Sequence, residues 1–354
     1  FVPLFDGERA GGRVLRVPVD DFTETAVEVL DLSLADSSLG GFQGGASYTS
    51  TQGGHFGFLV PLRGSVGPLG GENSRNSADG FQRTNRGSGH LQSHYSSRLV
   101  RFNLTDFSPA SVKVYDLAKV DPDLRGFSDG FVVGSHLYLV PYRNCDVGED
   151  MASFGQDVAP CTGAFGKLVR IDLEDSRSFR RAVTVLDLRQ VDSRLAGYSA
   201  GFCWGAFAVL VPHAHAASGQ VRGRVPTPHG LAVAVDLRVF GPSGVHVIDL
   251  STVTRQQLPK DPDSRLKGFV GGFASGDYAY FVPFNNGVFF GKLVRVDMRA
   301  WVALADRQKS GDQSADDGSR TGTNGLGFDG VQVIDLQWQD RFLCGFSGGF
   351  STSA

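Results

Sequence analysis

The chain has 354 residues, with 34 Lys and Arg against 37 Asp and Glu, which gives a formal net charge of −3. Because the cationic residues are scattered, the sequence excludes a nucleic-acid partner and a basic helix on a membrane surface, and no apolar run approaches the roughly 18 residues of a membrane-spanning helix. With 47 Gly and 27 Phe but only 2 Met, the composition favours strands and turns over helices.

The chain opens with a short Val-Pro strand, FVPLF, and its first alternating Val-x-Val strand, VEVLDL, ends at Leu32. A Gly-rich frame, Asp-x-x-Leu-x-Gly-aromatic-x-x-Gly, then follows and returns four more times. The copies are DSSLGGFQGGA, DPDLRGFSDGF, DSRLAGYSAGF, DSRLKGFVGGF and DRFLCGFSGGF, which begin at Asp36, Asp121, Asp192, Asp263 and Asp340. Their spacing of 71 to 85 residues suits four strands with loops and is too long for a pair of helices.

Every repeat predicts the same series of strands. The Gly-aromatic strand is followed by one that ends in Val-Pro, as in LYLVPYRN, then by one of the type GKLVRIDL, and last by a Val-x-Val strand. Alternation with period two is typical of β-strands. The sequence therefore predicts an all-β fold, a β-propeller with four antiparallel strands in each blade.

The repeat count predicts one domain, residues 1–354, with five blades. The last blade is expected to be closed by a C-terminal strand that joins three N-terminal strands, because the chain starts on a Val-Pro strand and ends on a Gly-Phe strand, GFSGGFSTSA. The approximate blades are 40–117, 125–188, 196–250, 267–336, and 344–354 with 1–32. Polar, Gly-rich inserts such as 64–97 and 307–325 predict surface loops.

The repeated frame is interpreted mainly as a structural element. Its Asp is placed to bond backbone amides of a tight turn, its glycines allow backbones to approach closely, and its aromatics fill the space between blades. The structural glycines are Gly126, Gly197, Gly268 and Gly345. The alternative is that the five repeat aspartates gather a divalent cation or sugar hydroxyls around one face of the channel.

The third strands carry Arg beside an acid two residues later. Arg170 with Asp172 and Arg295 with Asp297 predict inter-blade ion pairs, and Arg101 has Asn103 in the same place.

Three histidines interrupt the repeat in VPHAHAASGQVRGRVPTPHG. His213 and His215 lie at a strand end, and His229 lies across the hairpin. Three ring nitrogens could form a divalent metal site. Solvated loop histidines are the favoured interpretation because no carboxylate stands beside them, so no cofactor is expected.

Catalysis is not favoured by the sequence. A glycosidase needs two carboxylates near the channel mouth, but the innermost strands carry only Asp129, in GFSDGF. A nucleophile elbow, a phosphate-binding Gly loop and Cys-x-x-Cys are all missing, so we expect no catalytic residue. Asn144 and Asn286, which follow the Val-Pro strands, are candidate rim ligands for a sugar.

Cys145 and Cys161 bracket the polar segment CDVGEDMASFGQDVAPC. This spacing predicts a disulfide that closes a surface loop, against the alternative of two unrelated thiols. Such a bond would mean that the protein is secreted, on a cell surface or in another oxidising compartment.

The stretches GFVGGFASGDYAYFVPFNNG, GKLVRVDM and VQVIDL resemble Gly-Phe-rich propeller repeats of uncharacterised proteins, many of them from protists. They differ from WD40 and kelch repeats, since the Trp-Asp pairs and the paired-Gly signature are missing. The resemblance implies the fold and no functional residue. The sequence thus predicts a non-enzymatic structural or interaction propeller with a protein partner or assembly subunits, with glycan binding and glycoside hydrolysis as alternatives.

Overall fold

A computed structural model describes residues 5–6, 9–63, 95–144, 164–175, 177–215, 227–252, 266–310 and 330–352. The strands are β1 (Phe5–Asp6), β2 (Arg9–Ala10), β3 (Arg13–Arg16), β4 (Glu28–Asp31), β5 (Phe42–Thr49), β6 (His55–Pro61), β7 (Arg98–Asn103), β8 (Lys113–Asp116), β9 (Phe127–Val133), β10 (His136–Pro141), β11 (Lys167–Asp172), β12 (Val183–Asp187), β13 (Tyr198–Trp204), β14 (Phe207–Pro212), β15 (Ala214–His215), β16 (Thr227–Pro228), β17 (Leu231–Asp236), β18 (Val245–Asp249), β19 (Phe269–Ser275), β20 (Tyr278–Pro283), β21 (Lys292–Asp297) and β22 (Val331–Asp335). The α-helices are α1 (Phe179–Ala182) and α2 (Met298–Ser310).

Four of the sheets contain four strands each, arranged in chain order. Sheet 1 is β5-β6-β7-β8, sheet 2 is β9-β10-β11-β12, sheet 3 is β13-β14-β17-β18, and sheet 4 is β19-β20-β21-β22. Strand pairs in sheets 1, 3 and 4 are antiparallel, as is β10 with β11. The prediction of antiparallel four-stranded units is therefore confirmed, and such meanders are the building units of propeller-like folds.

The Asp-Leu pair at the end of each Val-x-Val strand starts a 3₁₀ turn. Asp31 accepts the backbone N–H of Ser33 at 2.9 Å, and Asp187 accepts that of Arg189 at 3.1 Å. These bonds cap the turn and satisfy amides that the strand no longer pairs. The leucines that follow are fully buried in four repeats: Leu32, Leu117, Leu188 and Leu250.

The chain divides into two compact units. Unit 1 contains Phe1–Leu139, Arg143–Gly163 and Val169–Thr184, and so includes β3, β4 and sheet 1. Unit 2 contains Val140–Tyr142, Ala164–Leu168 and Val185–Ala354, and so includes sheets 3 and 4. Strands of sheet 2 contribute residues to both.

Each unit has a core between successive sheets. In unit 1, Val14 and Leu30 of the β3-β4 pair pack with Phe42 and Leu59 of sheet 1. In unit 2, sheets 3 and 4 bury a larger cluster, whose members include Val211, Phe269, Phe281 and Trp301. Face-to-face burial of apolar strands explains why the repeat is rich in Val, Leu and Phe.

Helix α2 occupies a place where the sequence predicted only strands and a polar loop. Asp297 accepts the N–H of Ala300 at 3.0 Å, and Met298 and Trp301, three residues apart on one helical face, are buried in the unit 2 core. Tertiary burial of that face stabilises a helix that composition alone does not indicate. Within the described part of the chain, no helix is both long and apolar enough to cross a membrane.

The predicted fifth blade is present only as separate parts. Strands β3 and β4 form a two-stranded sheet with Val14 opposite Leu30. Residues 343–352 contain no strand, although the N–H of Phe346 donates to the carbonyl of Pro283 at 3.0 Å. A strand requires a ladder partner, and the described residues provide none for this segment, so closure of the last blade is not part of the described fold.

Candidate functional site

A cavity of about 380 Å³ lies in unit 1 between sheet 1 and the segment that follows β11. Its walls carry the aromatic rings of Tyr48, Phe56, Tyr115 and Phe179 together with charged groups of both signs. Cavities of this size that combine aromatic walls with a few polar groups are typical of small-ligand sites.

Glu174 ties one end of the cavity to the β5-β6 hairpin. Its carboxylate accepts hydrogen bonds from the Tyr48 hydroxyl, from the Thr51 N–H at 2.8 Å and from the Thr51 hydroxyl at 3.1 Å. The bond from Tyr48 is the main cause that lowers the pKa of Glu174, and the same bond raises the pKa of Tyr48 to about 12. At neutral pH this end therefore consists of an ionised carboxylate held by neutral donors.

The wall made by β7 and β8 is cationic. Arg101 lies directly opposite Lys113 in the ladder, and both line the cavity. The guanidinium carbon of Arg101 is 4.5 Å from the ring centroid of Phe56 and 6.0 Å from that of Tyr115. Tyr115 in turn stacks on Phe179 with centroids 4.6 Å apart. Cation–π contacts with two rings fix the position of the guanidinium.

The acidic wall follows β11. Asp172 accepts the N–H of Glu174 at 3.0 Å. Asp175 accepts two hydrogen bonds from the Arg177 guanidinium, at 3.0 and 2.9 Å, and this pairing lowers the pKa of Asp175. The cavity is thus polarised, with cationic side chains on the strands of sheet 1 and acidic side chains on the facing segment.

The repeat aspartates lie in tight turns. Asp36 accepts the N–H of Ser38 at 3.0 Å, and the bond from Arg98 to its carboxylate is the main cause that lowers its pKa to about 2. Equivalent backbone bonds join Asp121 to Asp123, Asp192 to Arg194, and Asp340 to Phe342. Asp263 lies outside the described residues. Among those described, no group of three His, Cys, Asp or Glu side chains could hold a metal ion.

The repeat glycines have positive φ: Gly126 at 71°, Gly197 at 81°, Gly268 at 73° and Gly345 at 70°. At Gly126 a Cβ would also overlap the carbonyl oxygen of Arg143. The N–H of Gly126 donates to Ser96 at 2.9 Å, so the residue links the start of sheet 2 to sheet 1. Both the left-handed backbone and the missing space require Gly there.

The three histidines lie together in unit 2, with backbone groups as their hydrogen-bond partners. Buried His229 has Nε2 3.1 Å from the Gly197 carbonyl, and its Nδ1 accepts the N–H of Leu231 at 3.3 Å. Burial lowers the pKa of His229 to about 3, so the ring is neutral. His215 stacks on it at 4.1 Å, and Nδ1 of His213 is 3.1 Å from a backbone carbonyl. These contacts are those of packed side chains, in contrast to the solvated loop expected from the sequence.

The candidate rim residues lie apart from the cavity lining. Asn144 is only 7% exposed. Asn286 accepts the N–H of Val288 at 3.4 Å within a turn, and Asp129 accepts the N–H of its neighbour Gly130 at 2.8 Å. The Asn286 and Asp129 oxygens thus contribute to local backbone structure, whereas Oδ1 of Asn144 is buried without a hydrogen-bond partner among the described residues.

The arginines of the third strands contact aromatic side chains of the adjacent strand. Besides Arg101, Arg295 lies 4.4 Å from the Tyr278 ring centroid and donates to Gln332 at 2.6 Å, while Arg170 is hydrogen-bonded to Tyr138. Asp297 caps α2, and Asn103 accepts the N–H of Thr105 at 2.7 Å. At Arg295 and Asp297 the structure thus differs from the predicted inter-blade ion pair, because the strand-end acid is used by the backbone.

Cys145 and Cys161 lie outside the described residues. The two described cysteines, Cys203 and Cys344, are free thiols.

Sequence reasoning did not identify the cavity. Its walls come from strands and loops as far apart in the chain as Tyr48 and Glu174, and Arg101 was noted only because Asn103 stands in place of an acid. The one available signal is that Arg101 has Asn103 where other repeats have an acid.

No protein-family model matches the sequence, and no curated protein matches it. Among solved structures, Kuenenia stuttgartiensis hydrazine synthase is 12% identical over 72% of this chain and 51% of that chain, with a TM-score of 0.35. YjhT is 8% identical over 73% of this chain and 63% of that chain, with a TM-score of 0.36. A hemopexin-fold protein, CP4 from cow pea, is 10% identical over 72% of this chain and 85% of that chain, with a TM-score of 0.25. This chain therefore spans about half of the hydrazine synthase chain and under two-thirds of YjhT.

Proposed function

We propose that this chain is a non-enzymatic, five-bladed β-propeller that binds a small polar ring, such as one sugar residue of a glycan, in the cavity of unit 1. The observation that carries the proposal is the cavity itself, whose volume of about 380 Å³ and mixed aromatic and charged walls suit such a ligand. Aromatic faces supply apolar contact area, and the polar groups between them supply orientation.

Closure of a fifth blade is supported by the exposure of Ile334, an apolar side chain on the last strand of sheet 4. In the Val-x-Val-φ-Asp strands, Leu30 and Leu186 at the φ position are 1% and 3% exposed, whereas Ile334 is 61% exposed. In a closed ring the N-terminal strands would cover Ile334 as the next blade. A second support is that the segment 345–350 lies against sheet 4, since a Cβ at Gly349 would be 3.1 Å from the Phe273 ring.

Binding without catalysis is supported by the state of the carboxyl groups. A glycosidase needs one acid whose pKa is raised so that it can donate a proton. Seven described carboxyl groups have a lowered pKa: Glu28, Asp36, Glu174, Asp175, Asp187, Asp192 and Asp236. These groups are hydrogen-bond acceptors and not proton donors.

A protein partner is the second candidate. The turn after β20 presents Val288 and Phe289, which are 69% and 57% exposed, and adjacent exposed apolar side chains on a hairpin are suited to a protein contact. A secreted or cell-surface location accompanies both candidates as a proposal and depends on the Cys145–Cys161 disulfide.

The test is a glycan array combined with a glycoside-turnover screen. Gln52 is exposed and lines the cavity mouth, so Gln52→Trp should fill the cavity and abolish glycan retention. Val239→Trp, on an exposed turn of unit 2, is the control and should retain binding. Glycan binding that is unchanged by Gln52→Trp would contradict the site, and turnover abolished by Asp129→Asn would contradict the non-enzymatic assignment.

A further inference from the structure

We infer that Arg101 and Lys113 form an anion-binding wall and that the cavity of unit 1 takes an acidic sugar, a carboxylate carried on a hydroxylated ring. This inference rests on the proposed binding function and specifies its ligand class.

The first observation is an uncompensated pair of like charges. Arg101 and Lys113 are directly opposite in the β7-β8 ladder, and like charges in that relationship are destabilising. Neither forms an ion pair within the described residues, where the ion pairs join other groups, among them Arg16 to Glu28 and Arg98 to Asp36. A carboxylate in the cavity would supply a counter-charge in direct contact with this pair. The acids on the facing wall do not, since none of them forms an ion pair with Arg101 or Lys113 among the described residues.

The second observation is how firmly Arg101 is held. Its guanidinium lies against Phe56 and Tyr115, and its Nε is buried without a hydrogen-bond partner. A guanidinium stacked on aromatic faces is oriented before the ligand arrives, which lowers the entropy cost of binding. Its planar donor edge matches the two oxygens of a carboxylate, which a neutral hydroxyl cannot reproduce.

The facing wall distinguishes a sugar acid from an amino acid. Both oxygens of Glu174 accept bonds from Tyr48 and Thr51, and both oxygens of Asp175 accept bonds from Arg177. Both carboxylates already have hydrogen-bond donors from the protein, so neither offers a free negative charge to the ammonium group of an amino acid. Asp172, which accepts one N–H from Glu174, can take a hydroxyl donor. A carboxylate at one wall and hydroxyls at the other is the pattern of an acidic sugar.

The experiment is isothermal titration of the full chain with glucuronate and galacturonate, against glucose and galactose as neutral counterparts. We expect at least one acid to bind about tenfold or more tightly than its neutral counterpart, since hydrogen bonds to charged groups contribute more than neutral ones. Arg101→Gln should remove that preference, and raising the salt concentration should weaken it. A uronic-acid oligosaccharide in a parallel titration distinguishes a free monosaccharide ligand from a residue within a glycan chain.

Arg295→Gln is the matched control. Arg295 holds the same position in its repeat and also stacks on an aromatic ring, but it lies outside the cavity, so the acid preference should persist. Equal binding of acidic and neutral sugars, unchanged by Arg101→Gln, would overturn the anion wall and leave the binding function standing. If none of the four sugars nor the oligosaccharide binds, while the array shows a glycan lost in Gln52→Trp, the acidic-sugar assignment alone is wrong.

Discussion

The hydroxyl of Tyr48 donates a hydrogen bond to the carboxylate of Glu174, which lies 126 residues further along the chain. This contact joins the hairpin of sheet 1 to the segment after β11 and forms one end of the cavity. Its strength depends on ionised Glu174 and neutral Tyr48.

We expect Tyr48→Phe to lower the melting temperature at pH 7, because it removes the donor. The pKa of Glu174 is lowered in the folded state, so its contribution is present above its unfolded pKa and is lost as pH falls through the folded value. The difference between wild type and Glu174→Gln should therefore shrink in thermal melts at acid pH. A difference in melting temperature that stays constant down to pH 2 would contradict a stabilising role of ionised Glu174.

Closure of the fifth blade is tested by Ile334→Asp. If the N-terminal strands cover this position, the substitution buries an unpaired charge and should cost about 3 kcal/mol in urea unfolding. Val288→Asp, at a similarly exposed position in a surface turn, should change stability by less than about 0.5 kcal/mol. Equal effects of the two substitutions would show that the ring does not close over Ile334.

The role of the repeat glycines is tested by Gly126→Ala. Positive φ and overlap with the Arg143 carbonyl should together cost about 3 kcal/mol. Gly134→Ala is the control, because Gly134 also has positive φ, 58°, but has open space around its Cβ position, so it should cost about 1 kcal/mol. Chemical denaturation of both variants measures the difference between their losses of unfolding free energy. That difference is the cost of the steric overlap with the Arg143 carbonyl.

His229 should make stability depend on pH below neutrality. Burial lowers its folded pKa from 6.5 to about 3, so the unfolded chain binds the proton first and stability falls as pH decreases through that range. The slope can reach about 1.4 kcal/mol per pH unit. His229→Gln keeps a donor for the Gly197 carbonyl but cannot titrate, so its unfolding midpoint should vary less between pH 7 and pH 4. If the pH dependence of stability is the same in His229→Gln as in the wild type, the His229 ring is not the neutral buried group described here.

Asp36 should make the folding stability depend on pH in a more acidic range than His229 does. Its folded pKa of about 2 lies below the ordinary value of 3.8, so its stabilisation is present above pH 4 and is lost as pH falls towards 2. Because the group is about one-third exposed, solvent screening limits the effect to about 1 kcal/mol. Urea midpoints of wild type and Asp36→Asn from pH 5 to pH 2 should converge.

Much of the local structure could be predicted from the repeat. The Asp-x-x-Leu turn, the four strands of each repeat and the obligatory glycine all depend on residues close together in sequence. Helix α2 could not be predicted in the same way, since its stability comes from burying Met298 and Trp301 in the core of unit 2. The three histidines illustrate the same limit, because the absence of a neighbouring carboxylate in the sequence favoured a solvated loop, and only packing decided that His229 is buried and neutral.

By itself the sequence determined an all-β chain of repeated four-stranded antiparallel units, because strand periodicity and turn chemistry act over a few residues. Only the tertiary structure decided where a cavity forms. The cavity requires Tyr48, Arg101 and Glu174 to meet, and these side chains come from distant strands and loops whose approach depends on the packing of successive sheets. Local pattern therefore specifies the four-stranded sheet, while the packing of successive sheets creates the cavity.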